Sequence, residues 1–204
     1  MKPKEVELAA LGYPNLDTLA LHLKGGRIHD VEALAAWPSL RRLLVIECYE
    51  MSPDRFPRPT DMPELQFVEF HSLRKTDAAV LRKRLKGLRG LKLSGSKSNA
   101  WLAANADNPF NNWVDESARL GKAACKIYKR SHGRVTKLGA EDFDAYHEEM
   151  VGFVRAFNHL DSKHGLDTVH REHIYDAFHE LAEASPVVAT PAVLAQWFDE
   201  DREF

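Results

Sequence analysis

Four short strings set the frame for the first half of this chain: Leu16-Asp-Thr-Leu19-Ala-Leu21, Leu40-Arg-Arg-Leu43-Leu-Val45, Leu65-Gln-Phe-Val68-Glu-Phe70 and Leu88-Arg-Gly-Leu91-Lys-Leu93. Each has apolar residues at offsets 0, 3 and 5, and their starts lie 24, 25 and 23 residues apart. Pro14, Pro38 and Pro63 each stand two residues before one of the first three. A period of this size means one supersecondary unit copied and stacked, because a unit so small cannot bury its apolar face alone. Offsets 3 and 5 fall on one side of an extended chain, so each string predicts a short strand with one buried face. Between the strings, Ile28, Val31 and Leu34 recur at helical spacing, as do Ala78, Leu81, Leu85 and Leu88 behind a cap at Thr76. The segment from Met51 to Met62 holds Pro53, Pro57 and Pro59, which excludes a regular helix there.

Over about residues 14–96 these strings resemble the leucine-rich repeat family, with its L-x-x-L-x-L core and period of about 20–29 residues. The resemblance implies an α/β fold: a short right-handed solenoid of four parallel strands within residues 1–100, with helical or irregular returns along the convex side. The family places Asn or Cys three residues after the third apolar position; here Lys24, Cys48, Leu73 and Ser96 stand there, and only Cys48 fits. The array is therefore expected to be short and degenerate. About 15 residues precede Leu16, little for a terminal cap, and an exposed first strand would favour pairing with another chain, including a second copy.

The pattern stops after Leu93, and the second domain is expected over 101–204. Gly95 to Asn99 reads as a loop, and Trp101 to Trp113, turn-rich with large aromatics, as a segment capping the last repeat. Helices are expected at about 115–131, 141–162, 168–184 and 191–200. Phe143, Tyr146, Met150, Phe153, Val154, Phe157 and Leu160 make one apolar stripe, Ile174, Phe178, Leu181 and Ala182 another, and Thr190-Pro191 is a start signal. The strings Ala156 to Gly165, Ala177 to Glu183 and Trp197 to Asp201 resemble the helical tail of some uncharacterised bacterial repeat proteins, which implies no known activity.

Nothing in the chain spells out a reaction. Cys48 and Cys125 stand alone, outside any zinc or disulfide pattern, and read as buried small hydrophobes of a reduced, cytoplasmic protein. There is no Gly-x-Ser-x-Gly elbow and no phosphate loop; Gly25-Gly26 reads as a turn. Met1 to Ala10 holds no apolar run of signal-peptide length, and no run of about 18 apolar residues occurs anywhere. Of the 10 histidines, five lie between His159 and His179, and Asp144/His147, Asp176/His179 and His170/His173 have the three-residue spacing of helical metal ligands. Both aspartates nevertheless fall on the side of their helix away from the apolar stripe, so no metal and no other cofactor is expected.

A formal charge of -2 hides a segregated chain. Residues 1–70, 71–140 and 141–204 carry -3, +12 and -11. Two partner classes follow from the residues. In the repeat strands the offsets between the core positions face outward: Thr18, Ala20 and His22; Arg42, Leu44 and Ile46; Phe67, Glu69 and His71; Gly90, Lys92 and Ser94. Leu44, Ile46 and Phe67, ringed by His22, Arg42, Glu69 and His71, have the anatomy of a protein interface on the concave face. A tail folded back over these three is the alternative. The expected function is thus a non-enzymatic module for binding a protein, with an immunity or adaptor protein as one version. The second class is a nucleic acid or another polyanion, on a basic surface of Arg82, Lys83 and Lys86 with Lys122, Lys126, Lys129 and Arg130. The acidic tail and the lack of interleaved stacking aromatics weigh against it.

Overall fold

The computed structural model describes residues 5–13 and 15–204; Pro14, one of the repeat-flanking prolines, lies outside the described residues. The chain divides into two compact units, Met1–Ala106 and Asp107–Phe204.

The first unit holds one all-parallel sheet of five strands in chain order: β1 (Glu5–Val6), β2 (Thr18–Ile28), β3 (Arg42–Glu50), β4 (Phe67–Leu73) and β5 (Gly90–Ser94). Each of the four strings feeds one of β2–β5. The four strands expected are joined by β1, a two-residue strand paired to the far end of β2 through Glu5↔Arg27 and Val6↔Ile28. Two residues are too few for an alternation to register, which is why the sequence pattern does not reveal it. One side of the sheet carries Leu19, Leu43, Val45, Val68 and Phe70 into the core; Leu21, Leu91 and Leu93 pack against it. The returns close that core with Val31, Leu34, Leu40, Phe56, Met62, Leu65, Ala78, Leu81 and Leu85. Each such side chain, taken fully out of water, contributes about 1.5–3 kcal/mol, with Ala78 giving less.

The returns are less helical than their spacing suggests. Val31–Ala36 is a 3-10 helix, Pro59–Asp61 is a single 3-10 turn, and only Lys75–Arg84 forms an α-helix, α1. Thr76 is not its cap: Arg74 occupies that position without a side-chain bond, and the Thr76 hydroxyl donates to the Asp77 carboxylate. A second helix, α2 (Asn99–Asn105), stands where a loop runs into the expected cap, started by Ser98, whose hydroxyl accepts from the Trp101 N–H.

A left-handed residue recurs at the end of the strands. Glu47, Ser72 and Gly95, each seven residues past a string's leading leucine, have φ of 56°, 60° and 60°, and Lys24 with Gly25 marks the same bend in β2. One left-handed residue adds a step to the alternation, so Val45 and Cys48, or Phe70 and Leu73, three apart, all face the core. Past the bend Gly26, Cys48 and Leu73 are register partners, with a shift between β2 and β3 on either side of Gly26, and Glu50 lies between Arg27 and Arg74 as an ion-pair band. Lys97 is buried at this end and donates to the Ser72 hydroxyl at 3.1 Å and the Gly95 carbonyl at 3.3 Å.

The second unit contains α3 (Ala118–Val135), α4 (Phe143–His164), α5 (Thr168–Ala184) and α6 (Pro191–Asp201), with a 3-10 turn at Asn111–Asp115. Ser117 caps α3 through the Leu120 N–H, Asp167 caps α5 through the His170 N–H, and Thr190 with Pro191 starts α6. The core is aromatic, built on Tyr146, Phe153, Phe157, Phe178 and Phe198. Phe143 departs from its stripe: it is 45% exposed, its ring lying edge-on to Trp197. The segment 101–113 divides between units. Helix α2 goes with the first, while Phe110 and Trp113 pack on Tyr128, Phe157 and His170 in the second. Among the described residues no helix is long and apolar enough to cross a membrane.

Candidate functional site

The face of the sheet opposite its core is ordered by backbone register into three rows. The first reads Thr18, Arg42, Phe67, Gly90; the second Ala20, Leu44, Glu69, Lys92; the third His22, Ile46, His71, Ser94. These are the twelve outward positions of the strings, so the seven expected contact residues share one face of β2, β3 and β4. Their places follow from the alternation of extended chain, which sends every second side chain away from the core.

The register sets Leu44, Ile46 and Phe67 in three successive rows on two adjacent strands, with Phe67 diagonal to Leu44. Leu44 and Ile46 adjoin along β3 and are half-buried. Phe67 sits a row away, beside Arg42, whose guanidinium lies 5.5 Å from the ring centroid. Gly90 is Phe67's register partner on the other side, and a Cβ there would come within 2.6 Å of the Phe67 ring and 2.7 Å of the Gln66 carbonyl. Glycine at 90 is thus the space that lets this ring lie over β5, a role that its place among variable offsets does not announce. Glu69 pairs with Lys92 at 2.5 Å, and His71 Nδ1 shares a hydrogen bond of 3.0 Å with the Ser94 hydroxyl. His22 reaches Glu47, the left-handed residue of β3, at 3.2 Å. The pairing of Glu47 could be found only by knowing that the chain bends there.

His22, Arg42, Glu69, His71, Lys92 and Ser94 are thus each held by a neighbour on an adjacent strand, while the aliphatic surface of Leu44 and Ile46 stays half-buried. Pre-paired charges around a small apolar area suit recognition, since few side chains must be ordered on binding. Clefts of about 420 and 450 Å³ are lined by Arg155, Asn158, His159, Ser162, Glu200 and Asp201 in the second unit, and by Arg58, Val80, Lys83 and Arg84 in the first.

The remaining sequence candidates are dispersed. Cys48 is buried against the core, and that burial pushes its thiol up to about 12, far from a reactive thiolate at neutral pH. Asp144 and Asp176 are exposed, His147 lies against the Trp197 ring, and His179 packs on Tyr175 and Phe178. His170 is buried between Asp167 at 2.7 Å and Glu116 at 3.2 Å, and His173 Nδ1 accepts the Trp113 indole N–H. Hydrogen bonds from the His170 backbone hold the Asp167 carboxyl below the usual range, so this cluster serves the start of α5. Among the described residues no group of three or more His, Cys, Asp or Glu is placed to hold a metal ion. Of the basic candidates, Arg82 and Lys83 lie in the last turn of α1 in the first unit, where cations favour the helix dipole, Lys86 follows the end of that helix, and Lys122, Lys126, Lys129 and Arg130 lie on α3 in the second. Comparison of the chain with family models, with curated proteins and with solved structures gives no match.

Proposed function

We propose that the first unit is a short, degenerate leucine-rich-repeat-like solenoid with a right-handed coil, and that it binds a protein partner without catalysing a reaction. The contact surface is the face carrying His22, Arg42, Leu44, Ile46, Phe67, Glu69 and His71. The observation that carries this reading is the register itself: three ordered rows across β2–β5 with a half-buried apolar strip at Leu44 and Ile46 outside the core cluster behind the sheet. Support for the repeat comes from the sequential parallel strand order and from the left-handed residue at the same offset of successive strings.

Size refines the partner. Four strands about 4.8 Å apart and three rows two residues apart make a face of roughly 400 Å². A standard interface takes about 800 Å² from each side. The partner therefore contributes a short segment, or its contact extends onto the flanking Arg27–Glu50–Arg74 band. An adaptor or immunity protein of the bacterial cytoplasm is the version that fits such a module.

The test is co-purification from the native cell, with wild-type protein, the Leu44→Ala/Phe67→Ala pair and Val80→Ser on α1 as a surface control. A protein retained by wild type and by the control and lost with the pair supports the proposal. Equal retention by all three contradicts it, provided the pair keeps its circular dichroism spectrum.

A further inference from the structure

The 18 residues of α3, Ala118–Val135, include no Asp or Glu. Arg119, Lys122, Lys126, Lys129 and Arg130 are all exposed. At about 100° per residue these five fall within an arc of roughly 100°, a single row along the helix. Leu120, Ala124, Tyr128 and Val135 take the other side into the core, where α3 packs on α4 and α5. Among the described residues none of the five has an ion-pair partner. The acids that do reach α3 are engaged elsewhere on it: Glu149 accepts from the Ser131 hydroxyl and pairs with Arg134 at 3.0 Å, and Glu180 accepts from the Tyr128 hydroxyl. Among the described residues, no carboxylate of residues 141–204 is therefore ion-paired with this row of cations. We infer that the exposed face of α3 is a sequence-independent binding surface for the phosphate backbone of duplex nucleic acid.

Geometry and charge select that occupant. From Arg119 to Arg130 the helix rises about 16 Å. Five phosphates along one strand of a duplex span about 14 Å of axis, so the two rows are commensurate. A single-stranded ligand would want stacking platforms, but the aromatic residue of α3, Tyr128, is buried. An anionic membrane would want apolar side chains to insert, but those of α3 are in the core. The net acidity of the unit does not cancel the attraction at working salt. With a screening length of about 8 Å, carboxylates a helix diameter of about 10 Å behind the row are largely screened, while phosphates in contact with it are not.

The experiment uses the full chain and fluorescein-labelled duplexes of about 20 base pairs, DNA and RNA in two unrelated sequences each, with anisotropy read from about 50 to about 200 mM NaCl. Five contacts give a slope near -4.5 in log K against log salt, a loss of about 500-fold over that fourfold range. Lys122→Glu/Lys126→Glu/Lys129→Glu leaves two contacts, a slope near -1.8 and a loss of about 12-fold, on top of weaker binding throughout. The corresponding Gln triple, which removes charge without reversing it, has the same slope near -1.8 with an affinity between those of wild type and the Glu triple. The DNA and RNA arms separate the two sources of the same backbone, and Arg82→Glu/Lys83→Glu/Lys86→Glu, at and just past the end of α1, leaves the curves unchanged. The inference is overturned by no saturable binding at the lowest salt, or by curves that both triples leave unchanged. It is also overturned by preference for vesicles of anionic phospholipid over duplexes, or by a row that mediates only self-association, read as a salt-sensitive sedimentation shift abolished by the triple.

Discussion

Three helical glycines offer a clean test of packing in the second unit. Replacing glycine by alanine inside a helix is worth about 1 kcal/mol of stability when nothing opposes it. At Gly133, on α3, and Gly152, on α4, an added Cβ meets nothing within 4 Å. Gly121, one turn into α3, is different: its Cβ would stand 2.3 Å from the Val114 backbone nitrogen, 2.6 Å from a Val114 methyl and 2.7 Å from the Trp113 carbonyl carbon. Two of those atoms are backbone, and the turn that bears them is held by Trp113. Its ring packs on Phe110 at 4.8 Å and on His170 at 4.5 Å, and its N–H is bonded to His173. To restore ordinary contact near 3.4 Å the turn must move by about an ångström against these anchors. Overpacking costs about 1–3 kcal/mol, and a clash with backbone atoms takes the upper part of that range, about 2–3 kcal/mol, which exceeds the helix gain. Gly121→Ala is thus expected to destabilise by about 1–2 kcal/mol net, a drop of about 2–8 °C in Tm for a chain of this size. Gly133→Ala and Gly152→Ala each raise it by a smaller amount. Thermal unfolding followed by circular dichroism at 222 nm reads both signs. A Gly121→Ala protein as stable as wild type would refute the close approach of α3 to the Asn111–Asp115 turn.

The strand-end bend makes a prediction of its own. At Gly95, with φ of 60°, alanine should cost about 1–2 kcal/mol and asparagine clearly less, read as urea midpoints; alanine and asparagine alike in cost would mean no left-handed residue is needed there. Cys48 adds a pH dependence. Its thiol titrates at 9.0 when exposed and about 12 when buried, so between those values the unfolded chain holds fewer protons and stability falls as pH rises, by about 4 kcal/mol at most. Urea midpoints of Cys48→Ala should therefore decline less steeply than wild type between those pH values, and parallel slopes would show that the thiol is not the cause. In the native protein at pH 8 Cys48 should also stay unmodified by a thiol reagent that labels it once urea is added, and rapid native labelling would contradict its burial.

What could be read from the sequence has a common physical origin. The strands β2–β5 and the outward face were legible because alternation is a local rule, and a string such as Leu40 to Val45 shows it completely. The bends were not legible, since Glu47 and Ser72 are not residues that advertise a left-handed turn; only tertiary context holds them there. The return after Ile28 shows helical spacing yet settles as a six-residue 3-10 helix, because Pro38 leaves too little chain for a nucleated α-helix. Phe110 and Trp113 showed in the sequence as large aromatics in a turn-rich segment, but which core would receive them depended on partners such as Phe157, more than 40 positions away. On the sheet face the sequence supplied the residues and missed their arrangement. That the Phe67 ring lies over Gly90 depends on the pairing of β4 with β5, which four isolated strings leave open.

The central claim is that the rows of Leu44, Ile46 and Phe67 contact a protein, and photo-crosslinking in the native cell tests it most directly. A photoreactive phenylalanine analogue is placed at Ile46 on the sheet face, and in a parallel sample at Val80, an exposed apolar position of α1. The account predicts a discrete crosslinked protein from position 46, absent from position 80, that disappears when Leu44→Ala and Phe67→Ala are introduced. Adducts that are identical at the two positions, or that persist undiminished in the double variant, would contradict it.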